Sequence, residues 1–248
     1  MSLSPAMWML KRVVKDALRA IRSVPSEIAA WRRFWHTYQA YNALAPGETK
    51  VTTDHLLPCI HDATAQTDIE PIYFYQDAWA FEKIVQLQPT HHVDIGSHHK
   101  FVALLSKVVP VTMVDIRPLS LRLDSLKFQE GSILALPFGD RELSSVSSLC
   151  VVEHIGLGRY GDPLDPHGTE KAIRELKRVV APGGSLVISL PIDDSNRVFF
   201  NAHRAFREDY LLRLFDPFQV LEAHYIYGMT FGTARQSGFG IGCYYLRG

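Results

Sequence analysis

The chain has 248 residues, 47% of them hydrophobic, and 26 Lys and Arg balance 26 Asp and Glu to a formal net charge of zero. That size suits one generous domain, or one domain with a small addition. The balance excludes a bulk electrostatic signal for nucleic acid, so no nucleic-acid partner is expected, and the apolar content excludes a disordered chain.

Residues 1–22 pattern as an amphipathic helix, with Met7, Leu10, Val14, Leu18 and Ile21 on one face and Lys11, Arg12, Lys15, Arg19 and Arg22 around the rest. Such a helix fits peripheral contact with an anionic membrane surface, or packing as a lid or a dimerisation element, and its composition also fits a transit peptide. Pro25 is expected to end it. A second helix is expected from Ser26 to Asn42, with Ile28, Trp31, Phe34, Tyr38 and Tyr41 as its apolar face. Residues 44–70 carry Pro46, Gly47 and Pro58 and are expected to be a loop-rich linker into a helix over 77–88. Residues 1–78 therefore form an expected helical cap over a domain of residues 79–248.

From residue 92 the pattern alternates. Strands are expected at 92–95, 111–116, 126–128, 145–152, 185–190, 219–227 and 240–246, with helices at 100–108, 170–180 and 207–215. Alternation of this kind predicts an α/β fold, a seven-stranded and mostly parallel sheet whose last strand is antiparallel. The final two strands are too close in sequence for a helical crossover, so an antiparallel hairpin at the sheet edge is expected. Pro182-Gly183-Gly184 predicts a helix stop and a tight turn.

Ligands of open parallel sheets bind beyond the carboxyl ends of the strands. The first strand ends Asp94-Ile95-Gly96-Ser97. The second ends Asp115-Ile116, with Asp115 placed 21 residues after Asp94. That spacing suits a carboxylate offered to a ribose diol. A dinucleotide site would also need G-x-G-x-x-G, but Ser97, His98, His99, Lys100 and Phe101 follow Gly96, which disfavours an NAD-dependent oxidoreductase. His154 after the fourth strand and His203 after the fifth are the candidate catalytic bases. Asp193 and Asp194 fit a plain turn better than a cation site. Arg197, Arg204 and Arg207 fit either a grip on a carboxylate or phosphate of an acceptor or a solvated face. Cys59, Cys150 and Cys243 are far apart and lack a C-x-x-C pair, so no disulfide framework or metal site is expected, and a reducing, cytoplasmic setting is.

The segments VDIGS (93–97), VDIRP (114–118), GSILALPF (131–138), VVEHIG (151–156) and LKRVVAPGGSLVISLP (176–191) occur in one order and spacing. In that order the chain resembles class I S-adenosylmethionine-dependent methyltransferases over roughly residues 79–248. The stretches YFYQDAW, HHVDIGS, VTMVDIRP and EGSILALPF are similar, more narrowly, to the domain of unknown function 268 family. The resemblance implies a Rossmann-like fold and S-adenosylmethionine as cofactor. It implies that Asp94 and Gly96, with Ser97, shape the turn under methionine and ribose, and that Asp115, with Ile116, holds the ribose. Ser132 and Ile133 would meet the adenine, and Val152, Glu153 and His154 would line the methionine and acceptor side. Methyl transfer to oxygen of a small molecule or a glycan sugar is the expected activity. The glycine-rich turn retains only Gly96, which keeps a non-catalytic scaffold as the alternative.

Overall fold

The computed structural model describes residues 4–248 and divides the chain into two compact units, one up to Asp68 and one from Ile69 onward.

The first unit is built on α1 (Pro5–Leu44), 40 residues long, with Ser4 Oγ accepting from Met7 N–H at its start and Pro5 in the first turn. Pro25 does not end the helix as expected. It lies inside it, where it removes one backbone donor, while the flanking Ser23 and Ser26 hydroxyls donate to the Ala20 and Ser23 carbonyls of the preceding turn. The following segment returns along the helix's second half. Val51 N–H donates to Asn42 Oδ1, Tyr38 Oη donates to Val51 O, and Arg33 donates to Ile60 O.

The second unit opens with α2 (Pro71–Leu87), which starts six residues earlier than the expected position 77. Pro71 presets the first turn and the Glu70 carboxylate accepts from Tyr73 N–H, so the start signal is the Glu-Pro pair rather than Asp77. The helix is therefore continuous across the boundary expected between residues 78 and 79. It buries Gln76, Trp79, Ala80 and Ile84.

There follow β1 (His92–Ile95), α3 (His99–Leu105), β2 (Val111–Asp115), β3 (Leu126–Glu130), β4 (Leu143–Leu149), α4 (Gly168–Val179), β5 (Val180–Ile192), β6 (Arg197–Phe199), β7 (His203–Ala205), α5 (Glu208–Phe215), β8 (Gln219–Tyr227), β9 (Thr230–Gly232) and β10 (Gly240–Arg247). The main sheet runs β3-β2-β1-β4-β5-β10-β8-β9, and β6 and β7 form a separate ribbon. The first five of these strands are mutually parallel, whereas β10 is antiparallel to both β5 and β8. All seven expected strands are present, and β9 adds a short eighth at the edge. The last two long strands form the expected antiparallel pair at one end of the sheet, with β10 on the inner side between β5 and β8 and therefore buried from Gly240 to Leu246, and only the three-residue β9 lies beyond β8. Gly183, at φ +74°, supplies the turn expected from Pro-Gly-Gly, as an irregularity within β5 where its register on β4 shifts.

Apolar cores form on both faces of the sheet. One side gathers Ile173, Leu176, Leu211 and Phe215 of α4 and α5 over Val146, Leu186 and Ile188. The other gathers Trp79, Ile84, Val102 and Leu105 of α2 and α3 over Met113, Val187 and Cys243. Each fully buried Leu or Ile contributes roughly 1.5–3 kcal/mol. In α4 the apolar positions Ala172, Ile173, Leu176 and Val179 recur at helical spacing, with Glu170 in the first turn and Lys177 and Arg178 in the last, matching the helix dipole. Strand order reverses between β1 and β4, which puts the switch point beside Gly96 and Cys150.

Candidate functional site

Two adjoining cavities, of about 370 and about 840 Å³, open at the carboxyl ends of β1, β2 and β4. Both include Gly96, Asp115, Arg117, Cys150, His154 and Tyr160. Ile116, Ser132 and Ile133 line the smaller, while Ser97, His98, His99 and Tyr73 line the larger.

The turn after β1 is held from below. Asp94 is fully buried, and its Oδ1 accepts from Ser97 N–H at 3.0 Å while its Oδ2 accepts from Ser147 Oγ at 2.5 Å. His92 continues this chain, with Nε2 2.8 Å from Ser147 Oγ and Nδ1 2.8 Å from Ser145 Oγ. Burial pushes Asp94 up to about 6 and His92 down to about 3, so the histidine is neutral. Asp94 thus fixes the turn and does not line either cavity.

Gly96 takes φ +70°, and a Cβ there would lie 3.1 Å from Val151 Cγ1 and 3.8 Å from Asp115 Oδ2. The turn therefore needs glycine for its backbone, and the bare Cα leaves open the space that the Asp115 carboxylate faces. Asp115 Oδ1 accepts from Arg117 N–H at 2.8 Å, and Oδ2 carries no hydrogen bond among the described residues. Ser132 Oγ accepts from Leu134 N–H at 3.2 Å, which shapes the turn after β3.

Beyond β4 the chain passes through Cys150, at φ +52°, whose thiol lies 3.1 Å from Gln76 Oε1. Burial holds this thiol well above its usual range, so it stays protonated. Val152 is fully buried in the core under α4 and does not line the site, contrary to expectation. Glu153 is also outside both cavities. It is buried, its Oε2 has no hydrogen-bond partner among the described residues, and burial raises it to about 8, so it is mostly neutral at pH 7. Its 3.7 Å approach to His154 Nε2 is no ion pair, because burial lowers His154 to about 4.

His154 does line both cavities. Its Nδ1 lies 2.5 Å from Ala202 O, an acceptor, so Nδ1 carries the proton and Nε2 keeps the lone pair. Arg159 Nη1 is 3.4 Å from the same Nδ1, too long and wrongly paired to compete, and it donates instead to Ala202 O at 3.2 Å. His203 stands near His154 and Arg159 but does not reach the cavity walls. Its ring packs between Phe199 and Phe239, at 4.9 and 5.6 Å, and lines neither cavity.

The three arginines expected to grip an acceptor are committed elsewhere. Arg204 is buried and donates to Ile155 O, Asp165 O, Pro166 O and Thr169 Oγ1. Arg197 pairs with Asp193, and Arg207 with Asp209. Asp194 accepts from Ser237 and Gly238, closing a loop. Among the described residues no cluster of three or more His, Cys, Asp or Glu could hold a metal ion.

Tyr160 was not legible as a site residue. The Arg117 and Arg159 guanidinium carbons lie 4.4 and 5.0 Å from its ring centroid, and its ring stands edge-on to His154 at 5.7 Å. The loop carrying it is organised by Asp162, which accepts from Gly156 and Tyr160 N–H groups, and by the carbonyls that Arg204 holds.

Known proteins share this architecture. A structure from Galdieria sulphuraria, described as a candidate sarcosine dimethylglycine methyltransferase, matches with TM-score 0.52 at 15% identity, covering 70% of this chain and 85% of its own. The 4+2 cyclase SpnF matches with TM-score 0.50 at 12% identity, covering 69% of this chain and 80% of its own. This is the class I methyltransferase fold. Residues 135–229 also match the family model described as Caenorhabditis protein of unknown function, DUF268. No curated protein sequence matches the chain. The two structural matches bear different activities in their names, so the methyltransferase fold does not by itself fix a reaction.

Proposed function

We propose that the chain binds S-adenosylmethionine across the carboxyl ends of β1 to β4 and transfers its methyl group to a hydroxyl oxygen of a small-molecule acceptor. The observation that carries this reading is the free Oδ2 of Asp115, directed towards the bare Cα of Gly96 at the switch point. A carboxylate oxygen there accepts hydrogen bonds from a ribose diol. Ile116, Ile133 and Leu134 offer apolar surface to a purine beside it. Nothing here favours a pyrophosphate. His98 and His99, with ring centroids 4.3 Å apart, stand at the start of α3, where a dinucleotide fold keeps small residues.

When bound, the cofactor supplies an electrophilic methyl group for in-line displacement. The residues of this chain then position the acceptor, and positioning accounts for much of the rate of such a reaction. His154 presents Nε2 as an acceptor for the hydroxyl proton, its ring held by Ala202 O. Held near 4, it is a weak base, suited to orienting a hydroxyl and receiving its proton late in the displacement. Tyr160, braced by Arg117 and Arg159, provides a flat wall at the junction of the cavities. With Arg197, Arg204 and Arg207 engaged internally, no side chain at the site favours a glycan sugar over other hydroxyl compounds.

Calorimetric titration with S-adenosylmethionine, S-adenosylhomocysteine and NAD tests the reading. Micromolar binding of the adenosyl ligands without NAD supports it. NAD binding alone overturns it.

A further inference from the structure

Among the described residues of its own unit, none covers the first half of α1. The returning segment engages Arg33, Tyr38 and Asn42, all in the second half. In residues 5–24 the apolar side chains stay open, with Leu10 64%, Val14 50%, Leu18 50% and Ile21 66% exposed.

The arrangement around the axis is segregated. At about 100° per residue, Lys11, Arg12, Lys15, Arg19 and Arg22 fall within an arc of roughly 100°. Leu10, Val13, Val14, Leu18, Ile21 and Val24 fall on the other side, in an arc of roughly 140°. Trp8 is the exception, lying among the cations. Five cations against the single acid Asp16, itself paired with Arg12 at 3.0 Å, give this stretch a net charge of +4. Since the whole chain is formally neutral, the remainder carries −4.

We infer that residues 5–24 of α1 form a docking surface for an anionic lipid bilayer, on which the helix lies in the plane of the interface. The stretch is about 30 Å long at 1.5 Å per residue. No helix of the described residues is long and apolar enough to cross a membrane, so the apolar arc is immersed only to the depth of the headgroup boundary. The flanking cations meet lipid phosphates and carboxylates. Charge complementarity selects this occupant over a second copy of the chain. Two such helices side by side would bring their +4 stretches together, and the apolar arc is wider than the narrow seam of a helix pair.

The full-length protein is to be sedimented with vesicles of phosphatidylcholine alone and of phosphatidylcholine with about one-third phosphatidylserine. Partition into the anionic vesicles only, falling as salt rises, is the expected result. Each cation near the surface is worth about fivefold in partition, so the quadruple variant Lys11→Gln, Lys15→Gln, Arg19→Gln, Arg22→Gln should bind more than about 100-fold less. Val14→Asp with Leu18→Asp should abolish partition while leaving the charge arc in place. The salt series on the unmodified protein gives the same answer if a variant does not fold. No partition into either vesicle overturns the inference, and so does equal partition into both. A concentration-dependent dimer that the Val14 and Leu18 substitutions dissociate, without vesicle binding, assigns the face to a second copy instead.

Discussion

Asp115 Oδ2 lies 3.8 Å from the point where a Cβ on Gly96 would stand. One residue supplies the open space and the other the carboxylate that faces it, so substitution of either should have a distinct signature. Gly96→Ala forces a left-handed backbone on alanine and a 3.1 Å contact with Val151. It should lower unfolding free energy by about 1–3 kcal/mol and weaken adenosyl-ligand binding together. Asp115→Ala removes the bond from Arg117 N–H and should cost only about 0.5–1.5 kcal/mol of stability, while Asp115→Asn, which keeps an oxygen for that bond, should leave the thermal midpoint nearly unchanged; both should weaken binding. Denaturation curves run beside titrations separate the two, and unchanged binding in folded Gly96→Ala contradicts the assigned cofactor position.

His154 and His203 should behave differently. His154→Ala removes the imidazole that lines both cavities and whose Nδ1 is tied to Ala202 O, which leaves the lone pair on Nε2. Turnover should fall roughly 10²–10⁴-fold with ligand affinity within about twofold. His203→Ala should change turnover less than about threefold, because its ring sits between Phe199 and Phe239. The converse pattern in steady-state kinetics would move the base to the β6–β7 ribbon.

Glu153 predicts an alkaline loss of stability. Its carboxyl is raised from 4.5 to about 8 by burial, so the unfolded chain releases a proton that the folded chain keeps. Its contribution is complete below about pH 4.5 and is lost as pH rises towards 8. Asp77 and Asp94, each pushed up to about 6, act in the same sense over a narrower range. His92 and His154, pushed down to about 3 and about 4, act oppositely, costing stability as pH falls below 6.5. Glu153→Gln, which mimics the neutral acid, should flatten the fall in stability between pH 5 and 8 in denaturation at pH 5, 6, 7 and 8, leaving the histidine-driven loss at lower pH in place. An unaltered slope between pH 5 and 8 would mean that Glu153 is ionised in the folded protein.

Arg204→Lys should be poorly tolerated. The buried guanidinium holds Ile155 O, Asp165 O and Pro166 O at once, and an ammonium lacks the fork to reach them all. A loss of roughly 2–4 kcal/mol is expected from charge-assisted bonds broken and carbonyls left unpaired. Calorimetric unfolding measures it directly, and a loss below about 0.5 kcal/mol would show that the loop over His154 does not depend on this clamp.

These residues also mark where sequence is informative. Gly96 and Asp115 are visible because strand ends and the strand–helix–strand spacing place them at the switch point without any knowledge of packing. Asp94 belongs to the same motif, yet its orientation depends on Ser147 and His92, partners supplied by tertiary contacts. Val152 and Glu153 follow β4, but the 3-10 turn there points both inward. Tyr160 has no local signature at all, since its position follows from a loop organised by Asp162 and the distant Arg204. Pro25 misleads for the opposite reason: a proline signals a helix end locally, and here the helix continues through it.

The most direct test is a paired calorimetric titration of the unmodified protein and Asp115→Ala with S-adenosylhomocysteine, with NAD as control. The account predicts micromolar binding to the unmodified protein, no response to NAD, and a loss of about 1–3 kcal/mol in the folded variant. Equal affinity in the two proteins, or binding of NAD in place of the adenosyl ligand, would contradict it.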